Sequence, residues 1–237
     1  MINELEALYS SIHSGSMQSI VNGHETIDPL LNARENDTRF GITLLIPLGT
    51  SIASEISSIR DEIRKIEPGQ YFYPASDLHV TVLDLQSAHE SFQRDNERIE
   101  ESIRLIEMAI PGIAQFDIDF RGIIFSNAGI LLKGYYYNGL ETIRTRIRER
   151  AAAEGITLQE RYRSISAHAT FVRFRSTLQN RRQLSAYVQK ATGRAIGTMT
   201  VREMHLVIHD WYNRRKEVVG RFSLLQRPMK QTGDGKS

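Results

Sequence analysis

One pattern occurs twice in the sequence, once in each half of the chain. The stretches FYPASDLHVTV (72–82) and RYRSISAHATF (161–171) each place a tyrosine six residues before a histidine and a threonine two residues after it. Apolar residues flank both histidines, as in a buried strand. A chain that contains such a pattern in each half is expected to build one structural unit twice, so the pattern predicts an internal duplication.

The spacing upstream of the two histidines is also alike. The first apolar run begins near Gly41, 38 residues before His79, and its counterpart begins at Gly129, 39 residues before His168. Each interval reads as strand, helix and histidine-bearing strand, and a further helix follows. Sequence identity between the halves is slight, so the duplication is predicted from order and spacing. We therefore expect two α+β lobes related by a pseudo-twofold axis, with a groove between them.

Apolar runs and turn residues define the predicted elements. Strands are predicted at 40–48, 77–85, 114–126, 128–137 and 166–174, followed by a hairpin of 198–211 and 217–225. Helices are predicted after Ser51, around Ile99–Ile106, from Asn138 to Gly155 and over 177–192, with a short one near Asn3–Ile12. The predicted domain organisation is an N-terminal extension (1–38), a domain of two pseudo-symmetric lobes (39–225) and a flexible tail (226–237).

Composition excludes several classes of chemistry. The chain has 237 residues and no cysteine, which excludes disulfides, thiolate nucleophiles and cysteine-ligated metal centres. Apolar residues make up 41% and charged residues 24%, as in an ordinary globular protein. The sequence contains neither a long uncharged apolar run nor a basic-then-apolar leader, so we expect no membrane association and a cytoplasmic location.

Positive charge is concentrated around the second copy of the pattern. Six arginines and no acidic residue lie between Arg161 and Arg182, although the net charge of the whole chain is only +2. Guanidinium groups bind phosphate through paired hydrogen bonds, so this segment is a candidate anion site. The alternative interpretation is a solvated basic face.

The repeated residues suit proton transfer at a phosphate. In a strand, side chains at i and i+2 share a face, so His79 projects with Thr81, and His168 with Thr170. Burying such pairs without partners is unfavourable, and doing so twice at matched positions predicts a shared polar site. One imidazole can act as base and the other as acid, while the threonine hydroxyls bind the non-bridging oxygens. This chemistry requires no metal.

The tetrads HVTV (79–82) and HATF (168–171) resemble the paired His-x-Thr-x motifs of the two-histidine (2H) phosphoesterase superfamily. That superfamily includes bacterial 2′–5′ RNA ligase-like proteins and cyclic nucleotide phosphodiesterases, and the resemblance covers residues 40 to about 225. It implies a bilobal α+β fold, with two antiparallel sheets and outer helices around a central groove. It also implies cofactor-free, metal-independent action on 2′,3′-cyclic phosphates or 2′–5′ linkages of RNA or nucleotides, by a protein expected to be monomeric. His79 and His168 would then be the acid and base, and Thr81 and Thr170 the phosphate ligands.

Further candidates lie near the tetrads. Arg173 follows Thr170 by three residues, where several members of the superfamily have a basic residue, and would bind phosphate. Its odd spacing from His168 would direct it to the other face of a regular strand. Asp84 occupies the matching place in the first half. Arg163 would contact phosphate or lie on the surface.

The remaining aromatic and histidine residues allow two interpretations. Tyr73 and Tyr162 would line the groove and stack on a nucleobase, or pack at the strand entry with their hydroxyls in water. His205 and His209 share a face of a predicted strand but lie ~13 Å apart, too far to bind one metal ion. They are expected on the outer face or the groove rim.

These observations favour a phosphoesterase that opens a 2′,3′-cyclic phosphate with water, and the resemblance implies a 2′-phosphate product. One alternative is a protein of the same fold that binds an RNA end or a nucleotide without turning it over. A second alternative has the two histidines in separate cores, where they would lie far apart.

Overall fold

Nine strands form the framework of the protein in a computed structural model, which describes residues 1–227. They are β1 (Phe40–Pro47), β2 (Tyr71–Phe72), β3 (His79–His89), β4 (Phe116–Ser126), β5 (Gly129–Tyr135), β6 (Ala169–Arg173), β7 (Ala195–Val201), β8 (Glu203–Asp210) and β9 (Lys216–Ser223). Two antiparallel sheets result, in the orders β3-β1-β8-β9 and β2-β6-β5-β4-β7. The two predicted motif strands therefore belong to different sheets, β3 to the first and β6 to the second. Of the predicted tail, residues 228–237 lie outside the described residues.

Five helices cover these sheets: α1 (Ile2–Val21), α2 (Thr50–Ile66), α3 (Asn96–Ala109), α4 (Gly139–Ala153) and α5 (Arg181–Lys190). Short 3-10 segments occur at Pro29–Leu31, Arg34–Asn36 and Ala75–Asp77. The isoleucine stripe that predicts α2 is buried along its whole length, at positions 52, 56, 59, 63 and 66. None of the helices in residues 1–227 combines the length and apolarity needed to cross a bilayer. The predicted α+β fold of two antiparallel sheets with outer helices is confirmed.

One helix of each half packs against the sheet that carries the motif strand of the other half. Along the chain, α2 lies between β1 and β3 of the first sheet, yet it contacts α5 and β7, a strand of the second sheet. α4 comes from the second half but contacts β3 of the first sheet and α3. Strands β3 and β6 contact each other where the sheets meet. The buried apolar residues form one continuous cluster, so the two sheets share a core and hold the motif strands side by side.

The predicted single strand over 198–211 is wrong. The chain leaves the second sheet after Val201 and enters the first sheet at Glu203, with Arg202 between the two strands. At this break the Arg202 carbonyl accepts a hydrogen bond from the Leu224 amide. The buried positions shift from Val201 to Met204 and Leu206 across the polar pair Arg202 and Glu203. This break in the alternation marks the change of sheet, and the predicted strand runs through it.

The N-terminal helix is longer than the sequence indicates. α1 runs to Val21, well beyond the short helix predicted near Asn3–Ile12, and buries Leu5, Tyr9, Ser16 and Ile20 against β4, β5 and α5. Its inner face includes Ser16, and Gly15 lies next to it, so the apolar period is interrupted in mid-helix. Such a helix gains its stability from tertiary packing, which periodicity underestimates.

Candidate active site

Both predicted motifs line one cleft at the junction of the sheets. His79 and Thr81 reach it from β3, while His168 and Thr170 reach it from the start of β6. The enclosed part of the cleft has a volume of about 130 Å³, smaller than the ~300–1,000 Å³ of a typical ligand pocket. Its other lining residues are Thr43, Tyr73, Asp84, Ser87, Ala88, Arg161, Tyr162, Arg173, His209 and Trp211. The two histidines therefore do not lie in separate cores.

A β-bulge directs Arg173 into the cleft. On β5, Leu131 pairs with Thr170 but the next pair is Ile130 with Val172, so Phe171 has no partner. Phe171 and Val172 are both buried, and Arg173 returns to the face that carries His168. The expectation from regular alternation, that Arg173 points away, is wrong because the extra residue shifts the alternation by one.

The first motif contains the same irregularity. Leu44 pairs with Leu83 and Leu45 with Thr81, so Val82 is left without a partner. Asp84 then returns to the cleft face, where the Thr43 hydroxyl donates a hydrogen bond of 2.9 Å to its Oδ1. Burial raises the pKa of the Asp84 carboxyl, against the opposing effect of the Thr43 hydrogen bond. The two halves thus present an aspartate and an arginine at equivalent positions.

The hydrogen bonds of His79 define its tautomer. Its Nδ1 lies 2.8 Å from the carbonyl oxygen of Asp77 and 3.1 Å from the side-chain nitrogen of Asn213. The carbonyl can only accept, so the shorter contact assigns the proton to Nδ1, and the Asn213 nitrogen is a neighbour of the ring rather than its donor. The Asn213 side-chain amide donates to the same carbonyl at 3.0 Å and fixes its position. Nε2 is then left with a lone pair that can accept a proton. Burial holds the pKa of His79 below its usual range, so the ring is neutral near pH 7.

His168 has a partner of a different kind. Its Nδ1 lies 2.7 Å from the Ser166 hydroxyl, which can donate to a neutral ring or accept from a protonated one. Burial lowers the pKa of His168 to about 4, with further contributions from the positive charges of Arg144 and Arg173 and from His79. The serine therefore accommodates both protonation states of this imidazole.

Arg144 joins the two motif segments. This arginine of α4 is fully buried, and its guanidinium donates to the carbonyls of Val82 (2.7 Å) and Thr81 (2.9 Å) in β3. It also donates to the carbonyl of Ser166 (2.7 Å), two residues before His168. A single rigid fork thus fixes the separation of the two motifs. The sequence does contain a signal for it, because Arg144 interrupts the apolar face of α4 formed by Leu140, Ile143, Ile147 and Ala151.

The sequence model of the 2′-5′ RNA ligase superfamily matches residues 49–213, more than half of the chain. The chain belongs to the 2′-5′ RNA ligase superfamily. The match includes both motif strands, Arg144 and the end of β8, whereas α1 lies outside it. No functionally curated protein matches the sequence.

Several solved structures share the fold of this chain. TT0787 of Thermus thermophilus has a TM-score of 0.57 and 18% identity, over 80% of this chain and 100% of that one. Escherichia coli LigT in its apo form has a TM-score of 0.55 and 18% identity, over 79% of this chain and 99% of that one. A conserved protein of unknown function from Agrobacterium tumefaciens C58, ATU0111, has a TM-score of 0.53 and 15% identity, over 86% of this chain and 97% of that one. At these identities the likeness shows the fold alone.

Two of the predicted site residues, Tyr73 and Arg173, contact each other in the cleft. Arg173 donates through Nε to the Tyr73 hydroxyl at 3.0 Å. Burial lowers the pKa of Arg173, but the Tyr73 phenol and Asp28 outweigh it, so the pKa lies above its usual range and the guanidinium stays charged. Tyr73 is only 3% exposed and its hydroxyl is engaged, which leaves no free ring face for a nucleobase.

Three candidate residues upstream of His168 (Arg161, Tyr162 and Arg163) lie in different surroundings. Tyr162 lies on the cleft and is 57% exposed, so its ring is open to a ligand. Arg161 also lines the cleft, with its guanidinium 4.8 Å from the centroid of the Trp211 ring. Arg163 is exposed and does not line the cleft, so the predicted phosphate contact has no geometric support.

His209 and Trp211 are cleft residues to which the sequence assigned no role. The ring of His209 lies 6.2 Å from that of His79, centroid to centroid, and is 8% exposed. Burial and the neighbouring His79 lower the pKa of His209 to about 3. His205 shares the strand face of His209 but does not line the cleft, and its Nε2 contacts Glu203 and Arg221. The sequence signal for His209 is its position on the same strand face as His205, since two polar rings on one face of an apolar strand indicate a polar surface.

No three histidine, aspartate or glutamate side chains in residues 1–227 are grouped so that they could hold a metal ion. The two motifs and Arg173 bring two imidazoles, two hydroxyls and a guanidinium to the cleft, which His209, Asp84 and Arg161 also line.

Proposed function

We propose that this protein is a phosphoesterase that hydrolyses a 2′,3′-cyclic phosphate or a 2′–5′ phosphodiester of RNA or a nucleotide, with His79 and His168 as acid–base pair. The observation that carries the proposal is the convergence of two His-x-Thr motifs, from different sheets, on one cleft. One chain supplies both motifs, so the proposed site needs no second subunit. Residues 39–225, the predicted two-lobed domain, contain every residue assigned a chemical role.

The proposed step is an in-line displacement at phosphorus. A water molecule loses a proton to Nε2 of His79 as its oxygen bonds to phosphorus, and the bond from phosphorus to the 3′-oxygen breaks. His168 gives a proton from Nε2 to the departing 3′-oxygen, which leaves a 2′-phosphate. The lone pair on His79, fixed by the Asp77 carbonyl, supports this assignment of the base. Exchange with solvent then restores both histidines.

The charge around His168 supports its role as the acid. Burial lowers the pKa of this histidine to about 4, and Arg144 and Arg173 add to the effect because they repel the proton. A phosphate anion beside the ring favours the charged form and raises that pKa, so substrate binding loads the acid with its proton. The Ser166 hydroxyl accepts from the resulting imidazolium.

The transition state carries more negative charge on the non-bridging oxygens. The hydroxyls of Thr81 and Thr170 and the guanidinium of Arg173 line the same cleft and would donate to these oxygens. Donors held in place by the strands need not reorganise during the reaction. Arg144 adds positive charge behind the site.

A nucleotide substrate agrees with the ligands of a structural neighbour. Escherichia coli LigT has been crystallised with 3′-AMP, ATP, NADP⁺ and phosphate. The enclosed volume of about 130 Å³ suits a phosphoryl group, with the rest of a nucleotide lying towards the open end.

The test is hydrolysis of a short RNA with a terminal 2′,3′-cyclic phosphate, followed in excess EDTA. We expect turnover by the wild-type protein and a loss of about 10²–10⁴-fold in kcat for His79→Ala and for His168→Ala. His24→Ala, an exposed histidine outside the cleft, serves as control. Full activity in either motif variant, or activity abolished by EDTA, would contradict the mechanism. Tight binding of RNA ends without turnover would favour the non-catalytic alternative.

A further inference from the structure

An acidic residue lines the same cleft in which a phosphate is expected to bind. Asp84 lies on β3 three residues beyond Thr81, and the bulge at Val82 directs it to the cleft face. A carboxylate beside a phosphate is repulsive, so Asp84 does not suit the phosphate itself. An ionised carboxylate can only accept hydrogen bonds, and its natural partner is a part of the ligand that presents N–H or O–H groups.

The carboxylate of Asp84 has capacity left for such a partner. Thr43 donates to Oδ1 at 2.9 Å, and no donor in residues 1–227 bonds to Oδ2. Each carboxylate oxygen can accept two hydrogen bonds, so Oδ1 also retains a site. No cation in the described part of the chain forms an ion pair with Asp84, although the charge of Arg161 acts on it. The acceptor is therefore in place and available.

An open aromatic ring lies beside this acceptor. Tyr162 lines the same cleft and is 57% exposed. Burial raises the pKa of its phenol, and the charge of the nearby Asp84 carboxylate raises it further. A nucleobase stacks on such a ring with little dependence on its identity. The ring thus provides affinity, and the carboxylate provides discrimination.

We propose that Asp84 and Tyr162 form a nucleobase subsite that selects guanine in the nucleotide carrying the reacting phosphate. Guanine presents two adjacent N–H donors on its Watson–Crick edge, which match the two oxygens of a carboxylate. Adenine and cytosine each present an amino group next to a ring acceptor, and uracil an N–H between two carbonyls, so each places an acceptor against Asp84. This inference rests on the proposed phosphoesterase function for the placement of the phosphate.

Equilibrium binding of the four nucleoside 2′-monophosphates, measured by calorimetry, tests the subsite without depending on turnover. We expect wild-type protein to bind guanosine 2′-monophosphate at least about tenfold more tightly than the other three. Asp84→Asn keeps an oxygen for the Thr43 hydroxyl but points an amide N–H₂ at the base, so the preference should fall to within about threefold. Tyr162→Ala should weaken all four ligands by about fivefold or more and preserve their order.

Asp61→Asn, an exposed aspartate of α2, is the matched control and should preserve the order of affinities. Thermal unfolding of each variant establishes that it is folded. Equal affinity for the four nucleotides, no measurable binding of any of them, or a guanine preference that survives Asp84→Asn would overturn the subsite. Failure of the cyclic-phosphate assay in EDTA with a guanine preference intact would instead overturn the catalytic proposal.

Discussion

The phenol oxygen of Tyr9 lies 3.1 Å from the backbone nitrogen of Ala167, the residue directly before His168. The same oxygen donates to the Gly134 carbonyl at 2.8 Å and accepts from the Gly134 amide at 3.3 Å. Tyr9 is fully buried and belongs to α1, outside the segment matched by the superfamily. The N-terminal helix is thus a structural support for the second motif.

Replacing Tyr9 by phenylalanine removes this support with little change in volume. The backbone groups of Ala167 and Gly134 lose a buried partner, so we expect the free energy of unfolding to fall by about 1–3 kcal/mol. Because Ala167 precedes His168, kcat in the cyclic-phosphate assay should also fall. Urea denaturation and kinetics check the two effects, with the 75%-exposed Tyr137→Phe as control. Unchanged stability and kcat would show that α1 does not support the motif.

Arg144→Met should disrupt both motifs at once. Three backbone carbonyls, of Thr81, Val82 and Ser166, would lose their donor inside the core, each at a cost of about 1–3 kcal/mol. Arg144→Lys retains the charge but cannot reach both strands, so it should also lose activity while losing less stability. Arg150→Met, on the exposed face of the same helix, is the control for denaturation and kinetics. A lysine variant with wild-type kcat would contradict a role in spacing the motifs.

Stability should fall as the pH falls below about 6.5. His168 and His209 are buried as neutral rings, with pKa values of about 4 and about 3, and the pKa of His79 is lowered as well. Below about pH 6.5 the unfolded chain binds protons that the folded chain does not. The free energy of unfolding therefore falls between about pH 6.5 and pH 4, by roughly 3 kcal/mol for each of His168 and His209.

Urea denaturation across this pH range measures the effect. His209→Gln should reduce the slope of unfolding free energy against pH by about 1.4 kcal/mol per pH unit between about 6.5 and 4, because one proton is no longer taken up on unfolding. The exposed His24→Gln is the control. An unchanged slope in His209→Gln would mean that His209 is not buried as a neutral ring.

Ser166→Ala should slow the reaction without weakening substrate binding. The alanine leaves Nδ1 of His168 without the partner that accommodates both of its protonation states. We expect kcat to fall about tenfold and KM to change little. Steady-state kinetics with the cyclic-phosphate RNA distinguish these terms, and Ser14→Ala, exposed on α1, is the control. If Ser166→Ala has the same kcat as the wild-type protein, Ser166 has no role in the proposed proton transfer.

Much of the fold follows from local signals in the sequence. The isoleucine stripe of α2 and the apolar runs around both motifs predict the order of strands and helices, because periodicity reports which face of an element is buried. The convergence of His79 and His168 could be inferred from the matched spacing. The change of sheet at Arg202 leaves only a local signal, the two polar residues between Val201 and Met204, and such an irregularity fits a bulge within one strand equally well.

The parts of the site that escaped prediction depend on tertiary geometry. The bulges at Val82 and Phe171 invert the alternation that would send Asp84 and Arg173, respectively, out of the cleft, and no residue type marks them. Arg144 and Tyr9 act through backbone groups distant in sequence, which periodicity cannot detect. A charged residue on an apolar helix face was the one available clue.

The two bulges also make the two halves of the cleft unlike in charge. Two matched His-x-Thr couples, taken alone, would receive a phosphodiester equally well in either of two opposite directions. Asp84 and Arg173 remove that equivalence, because one motif strand presents a carboxylate at the position where the other presents a guanidinium.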